Sequence, residues 1–220
     1  MKEFLDQRTL VALIAVVIVT GWIWVSSLTK AGWRSAAVLS YGMYAALVGY
    51  AIWAKDAVFG AALAFALVAG FTELLADRWL VRRTGKLHYM RDEPMIVASP
   101  LYMPFSWAVI LTLFYLIGYR ITELAGMGWG MAAAGLGGGL LIPFFEHCAK
   151  GARWWSYSDW KHQWWDTPYF IMLGEALLAA SLPLFIPYLA KPLHISVLLC
   201  GIAEGLWIWA AYWLAYRLLK

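Results

Sequence analysis

The sequence predicts an all-α, polytopic membrane protein of about seven transmembrane helices, folded as a single domain over residues 1–220. Three features carry this expectation. Apolar residues make up 63% of the chain and charged residues 14%, which leaves too little polar surface to coat a soluble globule. Seven apolar stretches each come close to the ~20 residues that a helix needs to cross a ~30 Å hydrocarbon layer. Only short connections lie between them, so little chain is left for a second domain.

The first stretch, Leu10–Leu28, is longer than the apolar core of a signal peptide and lacks a small-x-small cleavage pattern. It reads as a retained helix. Ser35–Ala54 and Ala57–Ala76 supply the second and third spans, the latter closing on the acidic segment GFTELLAD. The fourth, Met95–Gly118, and the sixth, Pro168–Ala190, are entered through Ser99-Pro100 and Thr167-Pro168. Proline in a first helical turn sacrifices no hydrogen bond, and the hydroxyl before it is expected to cap the helix. The fifth, Leu124–Phe145, contains GMGWGMAAAGLGGGLL, whose bare glycines let a neighbouring backbone come close. A phosphate-binding turn would have to leave the hydrocarbon, and no Gly-Lys-Ser/Thr follows, so helix packing or docking is the expected role. Leu193–Tyr216 is the seventh span.

The 17 Lys and Arg residues divide unevenly between alternate connections, five on the side of the N-terminus and twelve on the other. The positive-inside rule then places the N-terminus outside and the C-terminus in the cytoplasm. We expect an integral protein of a bacterial or archaeal cytoplasmic membrane. The cations sit in short loops beside spans, where headgroup contact is ordinary, and no nucleic-acid partner is expected. The expected partners are a lipophilic small-molecule substrate, membrane lipids, and either a second copy of the chain or a larger membrane complex. Cys148 and Cys200 fall toward opposite faces of the bilayer, too far apart for a disulfide.

Two helical hairpins resemble each other. Tyr89, Pro100 and Trp107 share their spacings with Tyr157, Pro168 and Glu175, which stand 68 positions later. Each set follows a helix ending in a carboxylate, and matching Glu73 with Glu146 requires an insertion or deletion in the loop. Genuine duplication and chance recurrence of common aromatics both remain open; duplication would make helices three–four and five–six parallel copies around a central site.

Carboxylates inside an oily chain need partners or a task. Glu73, Asp77, Glu146 and Glu175 are the candidate catalytic residues, because a protonated acid in an apolar cavity is a competent general acid. Asp77 lies one turn below Glu73 on the same helix face. Glu146 is placed at the membrane boundary. The candidate substrate-binding residues are Tyr89, Tyr102, Trp107, Asp166, Phe170 and Glu204. Two readings stand for Glu204, a site residue or an inter-helix anchor, and Asp166 also suits a cap on the sixth helix. Trp154, Trp155, Trp160, Trp164 and Trp165 read as an interfacial belt, while Tyr102, Phe105, Trp107, Phe170, Trp207 and Trp209 lie deeper, facing either a channel or lipid.

No cofactor and no metal are expected. A retinal Schiff base needs a lysine midway along the last helix, and Lys220 is at the end. The four histidines are scattered in loops and helix ends, which suits neither bis-histidine haem nor a di-iron centre. A metal held by Glu146, His147 and either His162 or Asp159 lacks helical ligand spacing.

From about Gly70 to Glu175 the chain resembles integral-membrane carotenoid-biosynthesis proteins, including the hydratases of acyclic carotenoid ends. The resemblance is carried by Phe71-Thr72-Glu73, Thr84-Gly85, Tyr89, Pro100-Leu101-Tyr102 and Trp107, then by Glu146, Trp155, Asp166, Pro168 and Phe170. It implies acid-catalysed chemistry on an isoprenoid alkene: hydration, isomerisation or cyclisation. Glu73 or Glu175 would donate the proton, Asp77 or Glu146 would orient water, and Tyr102, Trp107 and Phe170 would shield the cation. The main alternative is a non-catalytic accessory subunit of a pigment, quinone or electron-transfer complex, with the glycines of helix five as its docking face.

Overall fold

The computed structural model describes residues 5–90, 92–158, 160–189 and 194–220. Lys2, Arg91 and Lys191, counted among the cations, and Asp159, weighed as a metal ligand, lie outside the described residues. Within these bounds, seven helices are long and apolar enough to cross a membrane. α1 (Gln7–Thr29) starts at Asp6, whose carboxylate accepts from the Thr9 amide, and stops where Lys30 turns left-handed at φ 51°. α2 (Trp33–Trp53) leads to α3 (Ala57–Trp79), capped by Asp56 through the Val58 and Phe59 amides. α3 continues through a π-helical turn, Leu80–Thr84. Next come the short strands β1 (Leu87–Tyr89), β2 (Met95–Ile96) and β3 (Ser99–Pro100).

The fourth and fifth spans are α4 (Met103–Ala125) and α5 (Met127–Gly151). β4 (Trp155–Tyr157), β5 (Gln163–Trp164) and β6 (Thr167–Pro168) follow. The sixth span is α6 (Tyr169–Ser181), a 3-10 turn at Leu182–Phe185, and α7 (Ile186–Leu189). α8 (Ile195–Leu219) completes the bundle.

Several boundaries differ from expectation. The fourth helix begins at Met103, because residues 95–100 fold as the hairpin β2–β3, turned by Val97 at φ 60°. Ala98, Ser99 and Pro100 of the hairpin are buried, while Met95 and Val97 are exposed. α5 runs past Phe145 to Gly151, so Glu146 lies inside a helix and not at its edge. Neither Ser99 nor Thr167 caps a helix; the caps are Tyr102 and Pro168, without side-chain hydrogen bonds. Asp166 does not cap α6 either, since its carboxylate accepts from Lys150 and meets His147.

The hairpins are repeats in three dimensions. β1, β2 and β3 recur 68 positions later as β4, β5 and β6. So do their left-handed residues: Gly85 and Arg153 both have φ 61°, and Val97 and Trp165 have φ 60° and 52°. β1 pairs antiparallel with β4, with His88 opposite its own counterpart Ser156 at the centre. That register is what a pseudo-twofold axis between the strands requires. Helix neighbours follow the same symmetry: α3 packs on α4 and α5 on α6, while α8 lies against α3 and α6 and α1 against α5 and α4.

The structure corrects one match. Asp77, not Glu73, corresponds to Glu146, because each bonds the equivalent tyrosine of its own repeat, Tyr89 or Tyr157. The spacing is 12 residues in the first copy and 11 in the second. The extra residue is absorbed by the π-turn, which is how an α-helix takes up a single insertion.

Most glycines of α5, though not Gly128, are used within the chain. A side chain at Gly135, Gly138 or Gly139 would collide with Ala176, Ala179, Ala180 or the backbone of α6. Such contact is the main source of cohesion between helices in lipid. Ile14, Val17, Ile52, Leu136 and Leu199 are exposed around the bundle, as a lipid-facing belt requires.

Candidate active site

The pseudo-twofold brings the two matched acids to one cavity. Asp77 from α3 and Glu146 from α5 both line it, and Glu175 from α6 joins them. The cavity holds about 260 Å³ and follows α4 from Met103 to Ile117, roughly 21 Å at 1.5 Å per residue. Its remaining walls are mainly apolar and aromatic, including Trp107, Phe114, Ile142, Phe145 and, from α1, Val19, with the hydroxyls of Thr20 and Ser106 among them. A long, greasy cavity therefore carries three carboxyl groups on its wall.

Each acid is held by an aromatic donor. Tyr89 donates its hydroxyl to Asp77 at 2.5 Å. Glu146 accepts from the Trp155 indole N–H at 2.5 Å and the Tyr157 hydroxyl at 3.4 Å. Tyr212 of α8 donates to Glu175 at 2.5 Å. Gly174 makes that last bond reachable, because any Cβ there would meet the Tyr212 ring. Burial, then the neighbouring carboxylates, push Tyr89 and Tyr157 well above the ordinary phenol value, so both remain donors. Glu73 is fully buried beside Asp77 and within electrostatic reach of Glu175, but neither of its oxygens has a hydrogen-bond partner. Among the described residues, none of these four carboxylates is in an ion pair.

A family model described as a domain of unknown function (DUF6989) matches residues 74–219. The chain belongs to this family. The DUF6989 match takes in Asp77, Glu146, Glu175 and Tyr212, whereas Glu73 and the α1 wall of the cavity precede it. No curated protein and no solved structure matches the chain.

Within this DUF6989 protein the expected site residues separate into two groups. Asp77, Glu146 and Glu175 converge on the cavity, with Tyr89 and Trp107 on its wall, whereas Glu73 stands behind Asp77 and does not line it. Four others do not line it. Tyr102 is buried beneath the β2–β3 hairpin. Phe170 packs with Trp160 and Tyr216 on the α8 side. Asp166 is tied to Lys150 and His147 at the surface. Glu204 is an inter-helix anchor, accepting from Ser181 at 2.9 and 3.1 Å.

Trp164 and Trp165 are exposed, as a belt requires, Trp160 is half-buried, and Trp154 and Trp155 are buried and belong to no belt. Trp154 is buried and donates to Ser35, and Trp155 is committed to Glu146. Trp207 and Trp209 face outward. Glu146 and His147 point to different partners, and among the described residues no group of three ligating side chains is placed to hold a metal.

Sequence reasoning missed Tyr212 and treated Tyr157 and Trp155 only as markers. The shared spacing of Tyr89 and Tyr157 before their helices was a usable signal for the tyrosine–acid pairs. Nothing local pointed to Tyr212, which stands 37 residues from its acid.

Proposed function

We propose that this protein is an intramembrane enzyme that uses carboxylic acids to transform an alkene of isoprenoid or related lipid type, in the cytoplasmic membrane of a prokaryote. The observation that supports it is the meeting of Asp77, Glu146 and Glu175 on the wall of one long, mainly apolar and aromatic cavity. A slender polyprenyl chain suits that shape, and the acids suit the one reactive feature such a chain has. One carboxyl hands its proton to an alkene carbon, the π pair forming the new C–H bond and leaving a tertiary cation. The faces of Trp107, Phe114 and Phe145 can stabilise that charge. A second carboxylate then takes a proton: from the adjacent carbon in isomerisation, from the carbon beside the new cation once a second alkene's π pair has closed the ring in cyclisation, or from an attacking water in hydration. The resemblance to carotenoid-biosynthesis proteins agrees with this chemistry.

The test is conversion of acyclic isoprenoids by purified protein in nanodiscs, followed by product profiling. Asp77→Asn, Glu146→Gln and Glu175→Gln are each expected to lower turnover about 10²–10⁴-fold, the usual worth of a positioned acid or base. A folded wild-type protein that converts none of them, or variants with unchanged products, would remove the proposal.

A further inference from the structure

A second set of buried polar groups leads away from the cavity. Glu93, in the loop before β2, is buried with neither carboxylate oxygen in full hydrogen-bond geometry, although the Tyr102 hydroxyl and the Met90 amide lie close to it. The Tyr102 hydroxyl, beside it, and the Ser99 hydroxyl, beside Asp77, are also buried without a partner in bonding geometry. Three such groups in and beside one hairpin are costly when left unpaired. Clusters of this kind are where ordered water bridges side chains.

We propose that Glu93, Tyr102 and Ser99 form a water-bridged proton path from the loop layer to Asp77. A transfer takes one proton from bulk water at Glu93 and delivers one to the Asp77 carboxylate. The two hydroxyls each give one proton and accept one, so they end unchanged. The path deepens the acid-catalysis reading by giving Asp77 a route for reprotonation that does not cross the cavity.

Two further observations support it. Burial lifts Glu93 to about 7, the nearby Asp92 charge adding to the effect and the Tyr102 hydroxyl and Met90 amide opposing it, so Glu93 exchanges protons near neutral pH. The second repeat lacks the path. At the positions equivalent to Glu93, Ser99 and Tyr102 it has Lys161, Thr167 and Phe170. Only one of the two matched acids is connected, and Glu146 becomes an internal control.

The experiment needs no substrate. Infrared spectra of the full chain in nanodiscs, recorded over a pH series, give the carboxylic-acid bands, which Asp77→Asn and Glu146→Gln assign. Transfer from H2O to D2O then times proton exchange at each. Tyr102→Phe and Glu93→Gln should slow exchange at Asp77 at least tenfold while leaving Glu146 unchanged, and Glu93→Asp should recover most of the rate. Tyr102→Phe removes one hydroxyl that has no partner in full bonding geometry and keeps the ring, so the fold should tolerate it. Wild-type exchange at Asp77 in both variants, equal slowing at Glu146, or no Asp77-dependent acid band at any pH would overturn the path. Loss of turnover in the carboxylate variants with unaltered exchange in Tyr102→Phe would leave the acid-catalysis reading standing alone.

Discussion

Tyr212 and Gly174 act as a pair. The ring crosses α6 where there is no side chain, and its hydroxyl reaches Glu175. Tyr212→Phe should lower stability by about 1–3 kcal/mol, the penalty for leaving a buried acceptor without its donor. Gly174→Ala should do at least as much damage by displacing the ring; chemical unfolding in mixed micelles measures both. Asp166 makes a different prediction. Its burial opposes ionisation, but Lys150 and His147 outweigh that and hold its carboxyl below the usual carboxylate range. A depressed folded-state value means that the contribution is present above the unfolded value, near 3.9, and is lost as pH falls through the folded one. Its partners are more than half exposed, so the effect should stay under about 1 kcal/mol. Thermal midpoints of wild type and Asp166→Asn should therefore converge as pH drops from roughly 6 to roughly 3.

The α5–α6 contact and the π-turn show how much of the site depends on helix placement. Gly138 lies under Ala179 and the Glu175 carbonyl, whereas Gly128 has nothing near enough to obstruct a Cβ. Gly138→Ala should lower stability by about 1–3 kcal/mol through overpacking. Gly128→Ala should be neutral or slightly stabilising, and the difference between the two midpoints is the measurement. The glycine run was legible as close packing, but its partner helix was not, because both α6 and an external helix satisfy the same small-residue pattern. The π-turn was not legible either. A one-residue insertion is invisible until the tyrosine–acid bonds show that Asp77 and Glu146 are counterparts.

The seven spans and their charge asymmetry set how the chain sits in a bilayer. With the N-terminus outside, a fluorescent protein fused at the C-terminus should fluoresce and alkaline phosphatase fused there should be inactive. The reverse pattern would invert the topology. Span number and the roster of intramembrane acids could be read directly, since transfer into lipid is a local sum over about twenty residues. Glu73, Asp77, Glu146 and Glu175 stood out for that reason. Which acids share a cavity, and which of Tyr102, Phe170, Asp166 and Glu204 fall away from it, depends on contacts between segments far apart in the chain. Tyr89 meets Trp155 across β1–β4, and Tyr212 meets Glu175 across α6–α8. In lipid, apolar surface gives helices little preference among neighbours, so close fit and buried hydrogen bonds choose the partners. Those terms exist only once the helices are assembled.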